Sequence, residues 1–434
     1  MINYYGIYRQ KEIWIMTLEQ FKQARQVLAG VIRDTSLIQS AHLSSICGNN
    51  VYLKPENMQV TGAYKIRGAY YKISTLSAEQ REKGLITASA GNHAQGLAYA
   101  AQAAGVNATI VMPTGTPLLK VNATKGYGAK VILHGDVFDE AAELASVLSQ
   151  EEELVYVHPF NDLEIATGQG TVAYEIFQDL PDVDVILVPI GGGGLAAGVS
   201  TLAKLLKPSI QVIGVEPTGA ASMKASLDMG RVTTISSVTT IADGVAVKTP
   251  GEKVFPYVQE NLDAIITIAD VELVDAFLDV LEQHKMLVEN AGLLSVAALR
   301  HLDFKEKNVV SILSGGNMDV LTMSSLVQHG LISRSRLFTF SVHLPDRPGE
   351  LLRVAEILAR LSANVVKLEH NQFVTVNRQS GVELQVTVEA FGHEHKDEII
   401  STLRKEGFDA EVADAKRRVE EPFDSGTVYL YHKD

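Results

Sequence analysis

The chain has 434 residues, 46% hydrophobic and 21% charged, the balance of a globular protein too long for one ordinary core, so two or three structural units are expected. Its 38 Lys and Arg against 51 Asp and Glu leave a net charge of -13, which repels phosphate backbones and anionic lipid and argues against nucleic-acid or membrane partners. A single cysteine, Cys47, excludes an intramolecular disulfide and a multi-cysteine zinc site and fits a reducing, cytoplasmic setting, and no apolar run approaches the ~20 residues that span a bilayer.

Residues 1–15 are aromatic and mixed in charge, without an apolar signal core or a small-residue cleavage site, and read as an N-terminal extension. At Met16 a capped amphipathic helix begins, with Thr17 at its start. From about Leu53 to Leu313, short apolar runs alternate with helical stretches. GLITAS precedes Ala94–Ala104, ATIVMP precedes Lys120–Tyr127, and AKVILHG precedes Phe138–Leu148. DVILVPI precedes Leu195–Leu206, QVIGVEP precedes Ala220–Leu227, and NVVSILSGG follows Val271–Leu281. Strands apolar throughout and joined to helices predict α/β architecture with parallel sheets covered on both faces, and ligands beyond the carboxyl ends of the strands. Around Ser333–Arg336 the polar stretch ISRSR breaks this rhythm. Beyond it RLFTFSVHL, ELLRVAEILARL, NVVKLEH, VELQVTVEAF, HKDEIISTLRKEG and FDAEVA predict a ferredoxin-like βαββαβ unit. The expected division is an α/β domain over 16–332, with a smaller subdomain of about 60–155 inserted, an α+β domain over 336–414, and a polar tail over 415–434.

Three stretches of the first domain carry chemistry. In Glu56–Ala69, ENMQVTGAYKIRGA, Lys65 stands among small, apolar and aromatic residues at the start of a predicted helix. A lysine desolvated there lowers its pKa and can form a Schiff base, although a lone lysine is more often a solvated surface residue. In Thr87–Gly96, TASAGNHAQG, Ser89 and Gly91 leave backbone N–H groups to face an anion where a helix begins, and Asn92 offers an amide for a phenolic oxygen. Ordinary helix capping is the plainer alternative. In Pro189–Gly198, PIGGGGLAAG, the four glycines Gly191, Gly192, Gly193 and Gly194 lie between strand and helix, where successive N–H groups can wrap a phosphate. Neither G-x-G-x-x-G nor a G-K-[ST] follows, which argues against NAD and ATP.

With TGAYKIRGA, SAGNHAQG, GGGGLAAG and Ser314-Gly315-Gly316-Asn317 in that order, the chain resembles the fold-type II (tryptophan synthase β-like) pyridoxal-phosphate enzymes, and among them the threonine/serine dehydratase branch. The C-terminal unit resembles an ACT domain, matching the single-ACT form of the threonine ammonia-lyases. The resemblance implies two parallel-sheet subdomains and pyridoxal 5'-phosphate held by Lys65, with Tyr64 beside it. It implies Asn92 on the cofactor's ring oxygen, Gly191 to Gly194 around its phosphate, Ser314 at the pyridine nitrogen and Glu289 near the ring. The turn of Ser89, Ala90, Gly91, Asn92 and His93 is implied to hold the substrate carboxylate. Two departures stand out: Asn290 replaces the proline of the family's E-P-A-G, and Tyr64 replaces a frequent phenylalanine, so its hydroxyl needs a partner.

A serine rather than an acid at the pyridine nitrogen leaves the ring largely neutral, which favours β-elimination over a long-lived carbanion. The implied reaction is deamination of L-threonine to 2-oxobutanoate and ammonia, and of L-serine to pyruvate. Racemases of this fold carry a serine where this chain has Ala90, which cannot exchange a proton. Glu216, after GV in GVEP, is a thin candidate for a cation, because Ser222 stands where relatives show a second carboxylate. In the ACT-like unit Asp346, Arg347, Gly349 and Asn364 are implied effector contacts, with isoleucine and valine as the expected effectors of a biosynthetic member. A catabolic serine/threonine dehydratase with another effector is an alternative, as is an amino-acid sensor without turnover, although the intact Lys65, glycine run and Ser314 count against the sensor. A homodimer or homotetramer is expected, since one ACT unit leaves a sheet edge open.

Overall fold

Thr17 accepts a hydrogen bond from the Gln20 amide while the Gln20 side chain returns one to the Thr17 amide, a capping box that starts the helix Leu18–Leu28 at the predicted place. Phe21, Ala24 and Leu28 form its buried stripe. The computed structural model describes residues 16–345, 347–371, 382–413 and 427–430. The chain divides into two compact units, Met1–Met318 with Asp424–Asp434, and Asp319–Phe423.

In chain order the strands of the first unit are β1 (Ile38–Gln39), β2 (Asn50–Pro55), β3 (Leu85–Ala88), β4 (Ala108–Met112), β5 (Lys130–Leu133), β6 (Val155–Tyr156), β7 (Val185–Pro189), β8 (Gln211–Pro217), β9 (Ala264–Ile268) and β10 (Asn308–Leu313). The second unit contributes β11 (Leu337–Leu344), β12 (Asn364–Asn371), β13 (Val382–Glu389) and β14 (Asp409–Val412), and β15 (Thr427–Leu430) returns to the first. The larger sheet runs β1-β2-β10-β7-β8-β9-β15, with five parallel strands between antiparallel edges, and the smaller runs β5-β4-β3-β6, all parallel. Fully buried β7 bears out the apolar run DVILVPI as a strand covered on both faces, and β9 is buried throughout in the same way. The segment read as a polar tail thus supplies an edge strand, β15, paired antiparallel with β9.

The helices Leu163–Asp179 and Gly194–Leu206 pack backbone to backbone: a Cβ on Gly198 would lie 2.0 Å from the Ala166 carbonyl oxygen, and one on Gly170 would lie 2.6 Å from that of Gly198. Around this crossing Ile186, Val188, Val199, Leu202 and Val212 form the core beneath the larger sheet.

In the second unit the order β12-β13-β11-β14, antiparallel throughout, is the ferredoxin-like arrangement that the sequence predicts. The helices Glu350–Arg360 and His393–Lys405 share a core with the sheet through Phe340, Val342, Val354, Leu384, Ile399 and Leu403. The helix Val320–Ser333 goes with this unit, earlier in the chain than the expected boundary at 336. Among the described residues no helix is long and apolar enough to cross a membrane.

Candidate active site

Four loops leave the carboxyl ends of β2, β3, β7 and β10 and meet at one cavity of about 750 Å³. That is the place where parallel sheets bind ligands, because strand ends and helix starts expose unpaired backbone groups there. Tyr64, Lys65, Ser89, Ala90, Gly91, Asn92, His93, all four glycines of 191–194, Glu289 and Ser314 line it.

Lys65 is the first residue of the helix Lys65–Thr75, and its Nζ donates to the Pro159 carbonyl at 2.9 Å. Burial brings its pKa down to about 8, against the opposing pull of Glu289, so a useful fraction is a neutral nucleophile near neutrality. Its Nζ lies 5.3 Å from the Tyr64 ring centroid. Burial, reinforced by Glu289, raises the Tyr64 hydroxyl above its ordinary pKa, so this residue stays a neutral phenol. The loop is fastened to β10 by Tyr64 N–H donating to the Ser314 carbonyl at 3.1 Å and by a bridge between Ala63 and Gly315.

Beneath Lys65 lies a fully buried ion cluster that sequence reading misses. Arg67 grips the Glu56 carboxylate through Nε and Nη2, both at 2.7 Å, and Glu175 through Nη1 at 2.6 Å and Nη2 at 2.9 Å. Lys54 adds a 2.5 Å bond to Glu175, and Thr35 Oγ1 donates to Glu56 at 2.5 Å. Arg67 and Lys54, with Arg25 3.8 Å from Glu175 at the edge, offset the two carboxylates and tie the lysine-bearing helix to β2 and to the helix Leu163–Asp179.

The helix Asn92–Ala104 opens on the cavity, and its first-turn amides, which lack intrahelical acceptors, offer an anion site. Ser89 Oγ accepts from Gly91 N and Ala94 N, both at 3.3 Å, and so shapes the turn. The His93 ring faces the Val157 carbonyl at 3.1 Å; burial, then the nearby Lys65, pushes its pKa down to about 3, so it stays neutral. Asn92 Nδ2 donates to Glu289 Oε1 at 2.7 Å. Burial, with Asp243 adding to it and Asn92 opposing, raises the Glu289 carboxyl to about 7.

The glycine run follows β7 directly. A Cβ on Gly192 would fall 2.2 Å from the Phe160 ring, and one on Gly193, at φ +98, would fall 2.6 Å from Met223 Cε. Only glycines leave the backbone exposed in this cradle. Ser314 is buried at the end of β10. A buried amine of lowered pKa, a side-chain-free N–H cradle and a hydroxyl together fit pyridoxal phosphate. Asn290, in place of the expected proline, donates from Nδ2 to the Ile241 carbonyl at 2.8 Å and anchors the helix Asn290–Ala297.

Glu216 lies outside this cavity lining. Its two oxygens accept the Met223 and Lys224 amides, both at 2.8 Å, and burial raises its carboxyl to about 8. Among the described residues no group of three or more His, Cys, Asp or Glu could hold a metal ion. Sequence reading also missed Phe160, Asn317 and the ion pair of Lys120 with Asp243, 3.3 Å apart and both lining the cavity. Phe160 follows β6, only two residues long and too short to be read as a strand. Asn317 was legible within Ser-Gly-Gly-Asn, but not as a side chain facing the cavity. In the second unit Gly349, at φ +101, precedes the helix Glu350–Arg360, with Arg347 in the same turn. Asn364 opens β12 and donates to Glu389 at 3.0 Å, while Asp346 lies outside the described residues.

Parallel sheets, a lysine at a helix start and a glycine cradle at strand ends define a pyridoxal-phosphate enzyme of fold-type II. The sequence pattern of the pyridoxal-phosphate dependent enzyme family matches residues 28–315. The chain is 43% identical over 399 residues to the L-threonine ammonia-lyase of Thermotoga maritima, covering 92% of this chain and 100% of the relative. It is 45% identical over 323 residues to the catabolic L-threonine dehydratase TdcB of Staphylococcus aureus N315, covering 73% of this chain and 93% of that one. Among solved structures it is similar to the processed form of threonine deaminase isoform 2 from Solanum lycopersicum, with a TM-score of 0.68 and 39% identity over 72% of this chain and 94% of that one. The chain belongs to the pyridoxal-phosphate-dependent enzymes, in their threonine ammonia-lyase branch.

Proposed function

We propose that this protein deaminates L-threonine to 2-oxobutanoate and ammonia, and L-serine to pyruvate. The carrying observation is the meeting of Lys65, with its pKa near 8, and the Gly191–Gly194 cradle in one cavity. When bound, pyridoxal phosphate supplies an electron sink that weakens the Cα–H bond of an attached amino acid. Lys65 holds the cofactor and then, as a free amine, takes the Cα proton; its low pKa makes it a base near neutrality. The amides of 191–194 would hold the phosphate, and Asn92 would donate to the ring oxygen. The Ser314 hydroxyl, buried in the cavity lining, would meet the pyridine nitrogen without charging it. The turn of Ser89 to His93 binds the substrate carboxylate through its remaining backbone amides, those of Ser89 and Gly91 being spent on the Val111 carbonyl and the Ser89 hydroxyl, with the His93 ring kept neutral by burial. Glu289, its carboxyl raised to about 7 chiefly by burial, accepts a hydrogen bond from Asn92 Nδ2 beside the ring.

We assign catalysis to the first unit and regulation to the second, where Arg347, Gly349 and Asn364 contact an amino-acid effector. The protein works in the cytoplasm as a homodimer or homotetramer. Isoleucine is the effector expected of a biosynthetic enzyme; the likeness to a relative named catabolic favours a second reading, threonine breakdown under another effector. The test is release of 2-oxo acid from L-threonine and L-serine by the purified protein with pyridoxal phosphate, with and without isoleucine. Turnover slowed by isoleucine supports the biosynthetic reading, and indifference to it the catabolic one. Full turnover by Lys65→Ala overturns the scheme.

A further inference from the structure

Asn317 lines the cavity and spends both hydrogens of its NH2 group on the protein. Its Nδ2 donates to the backbone carbonyl of Thr61 at 2.8 Å and to Asn92 Oδ1 at 2.8 Å. A backbone carbonyl can only accept, so the end of Asn317 facing Thr61 is the NH2 group, and its second hydrogen is directed at Asn92. The atom of Asn92 that receives it must therefore be the oxygen. The two ends of an asparagine amide are nearly equal in shape, and only hydrogen-bonding partners decide which way it points. With its oxygen claimed, Asn92 has its NH2 group on the other side, where it donates to Glu289 Oε1 at 2.7 Å. Polarity thus runs one way, from the fixed Thr61 carbonyl through Asn317 and Asn92 to Glu289. Gly62 makes the arrangement possible: a Cβ there would lie 2.5 Å from Asn317 Oδ1, and its φ of +74 favours glycine.

We propose that Asn317 is a positioning residue that fixes the donor sense of the Asn92 amide, so that Asn92 presents N–H rather than oxygen to the cofactor's ring oxygen and to Glu289. The proposal rests on the reading of Asn92 given above. A reversed amide would set its oxygen against the Glu289 carboxyl and the ring oxygen, replacing a donor by lone-pair repulsion.

The test uses the full-length holoprotein and the ratio of its long- to short-wavelength absorbance bands. A donor on the ring oxygen favours the charge-separated, long-wavelength tautomer of the lysine-bound cofactor. Asn92→Ala removes that donor and is expected to lower the ratio about tenfold, the equilibrium equivalent of one hydrogen bond to a charged group. Asn317→Ala is expected to lower it by a comparable factor, and the double variant no further than Asn92→Ala alone, because Asn317 acts through Asn92. Where Asn317→Ala yields no folded protein, Asn317→Asp keeps the volume, loses the donor and carries the same expectation. An unchanged ratio in either Asn317 variant, or shifts that multiply in the double variant, overturns the proposal. Wild-type protein that shows neither band with pyridoxal phosphate overturns instead the functional reading beneath it.

Discussion

Replacing Arg67 with methionine keeps much of the side-chain volume and removes every charged hydrogen bond it makes. Arg67 and Glu56 are fully buried and Glu175 is nearly so. Glu175 would retain Lys54, but Glu56 would keep only the Thr35 hydroxyl among its side-chain partners. Breaking a buried pair from one side costs about 3–5 kcal/mol, because it strands a charge that water cannot reach. Loss of this size is expected in urea denaturation at pH 7. Glu56→Gln combined with Arg67→Met should lose clearly less than the sum of the two single changes. The pH dependence follows from Glu175. Burial pushes its carboxyl up, but Arg67 first and then Lys54 outweigh burial and hold it below the usual carboxylate range. In the wild type its stabilisation is full above its unfolded pKa and fades as pH falls through the lowered folded value. Without Arg67 chiefly Lys54 is left to oppose burial, so the Glu175 pKa is held down less and its stabilisation depends less on pH. The gap between variant and wild type should therefore narrow as pH falls from the ordinary value of 4.5 towards about 2. A loss under about 1 kcal/mol at pH 7, or one that does not change with pH, would refute the reasoning.

Uptake of pyridoxal phosphate by stripped protein should accelerate as pH rises through about 8, where Lys65 becomes neutral; a midpoint near the ordinary lysine value of 10.5 would remove the desolvation argument. Gly198→Ala drives a methyl to within 2.0 Å of the Ala166 carbonyl and should cost about 1–3 kcal/mol, seen as a lower Tm. Gly126→Ala, with nothing within 4 Å of the added carbon, should show no such loss. Gly349→Ala strains a φ of +101 and should weaken the response to the effector in the turnover assay, while effector-free turnover of threonine stays at the wild-type rate.

Much of this protein can be read from the sequence by itself. Fully apolar runs tied to amphipathic stretches define parallel sheets, because a strand buried on both faces leaves no polar alternation. The glycine run marks its own site, since four successive glycines are useful only where backbone must meet a ligand. The alternating pattern of RLFTFSVHL and VELQVTVEAF likewise fixed the antiparallel unit, whose strands bury one face alone. Other features escaped a linear reading. The helix Leu163–Asp179 is buried on almost every side and so has no polar stripe to give it a period. AIITI, now β9, is too short to distinguish from a buried helix segment. Arg67 and Glu175 lie 108 positions apart, and nothing in either neighbourhood announces the other. Only the tertiary structure decided that Arg67 is buried with its partners, that Glu216 spends both oxygens on a helix start, and that Asn317 reaches Asn92 across 225 positions. Periodicity and turn chemistry are local and survive in one dimension. Charge balance and the direction of a hydrogen bond depend on which groups share a space that water cannot enter, and folding alone creates that space.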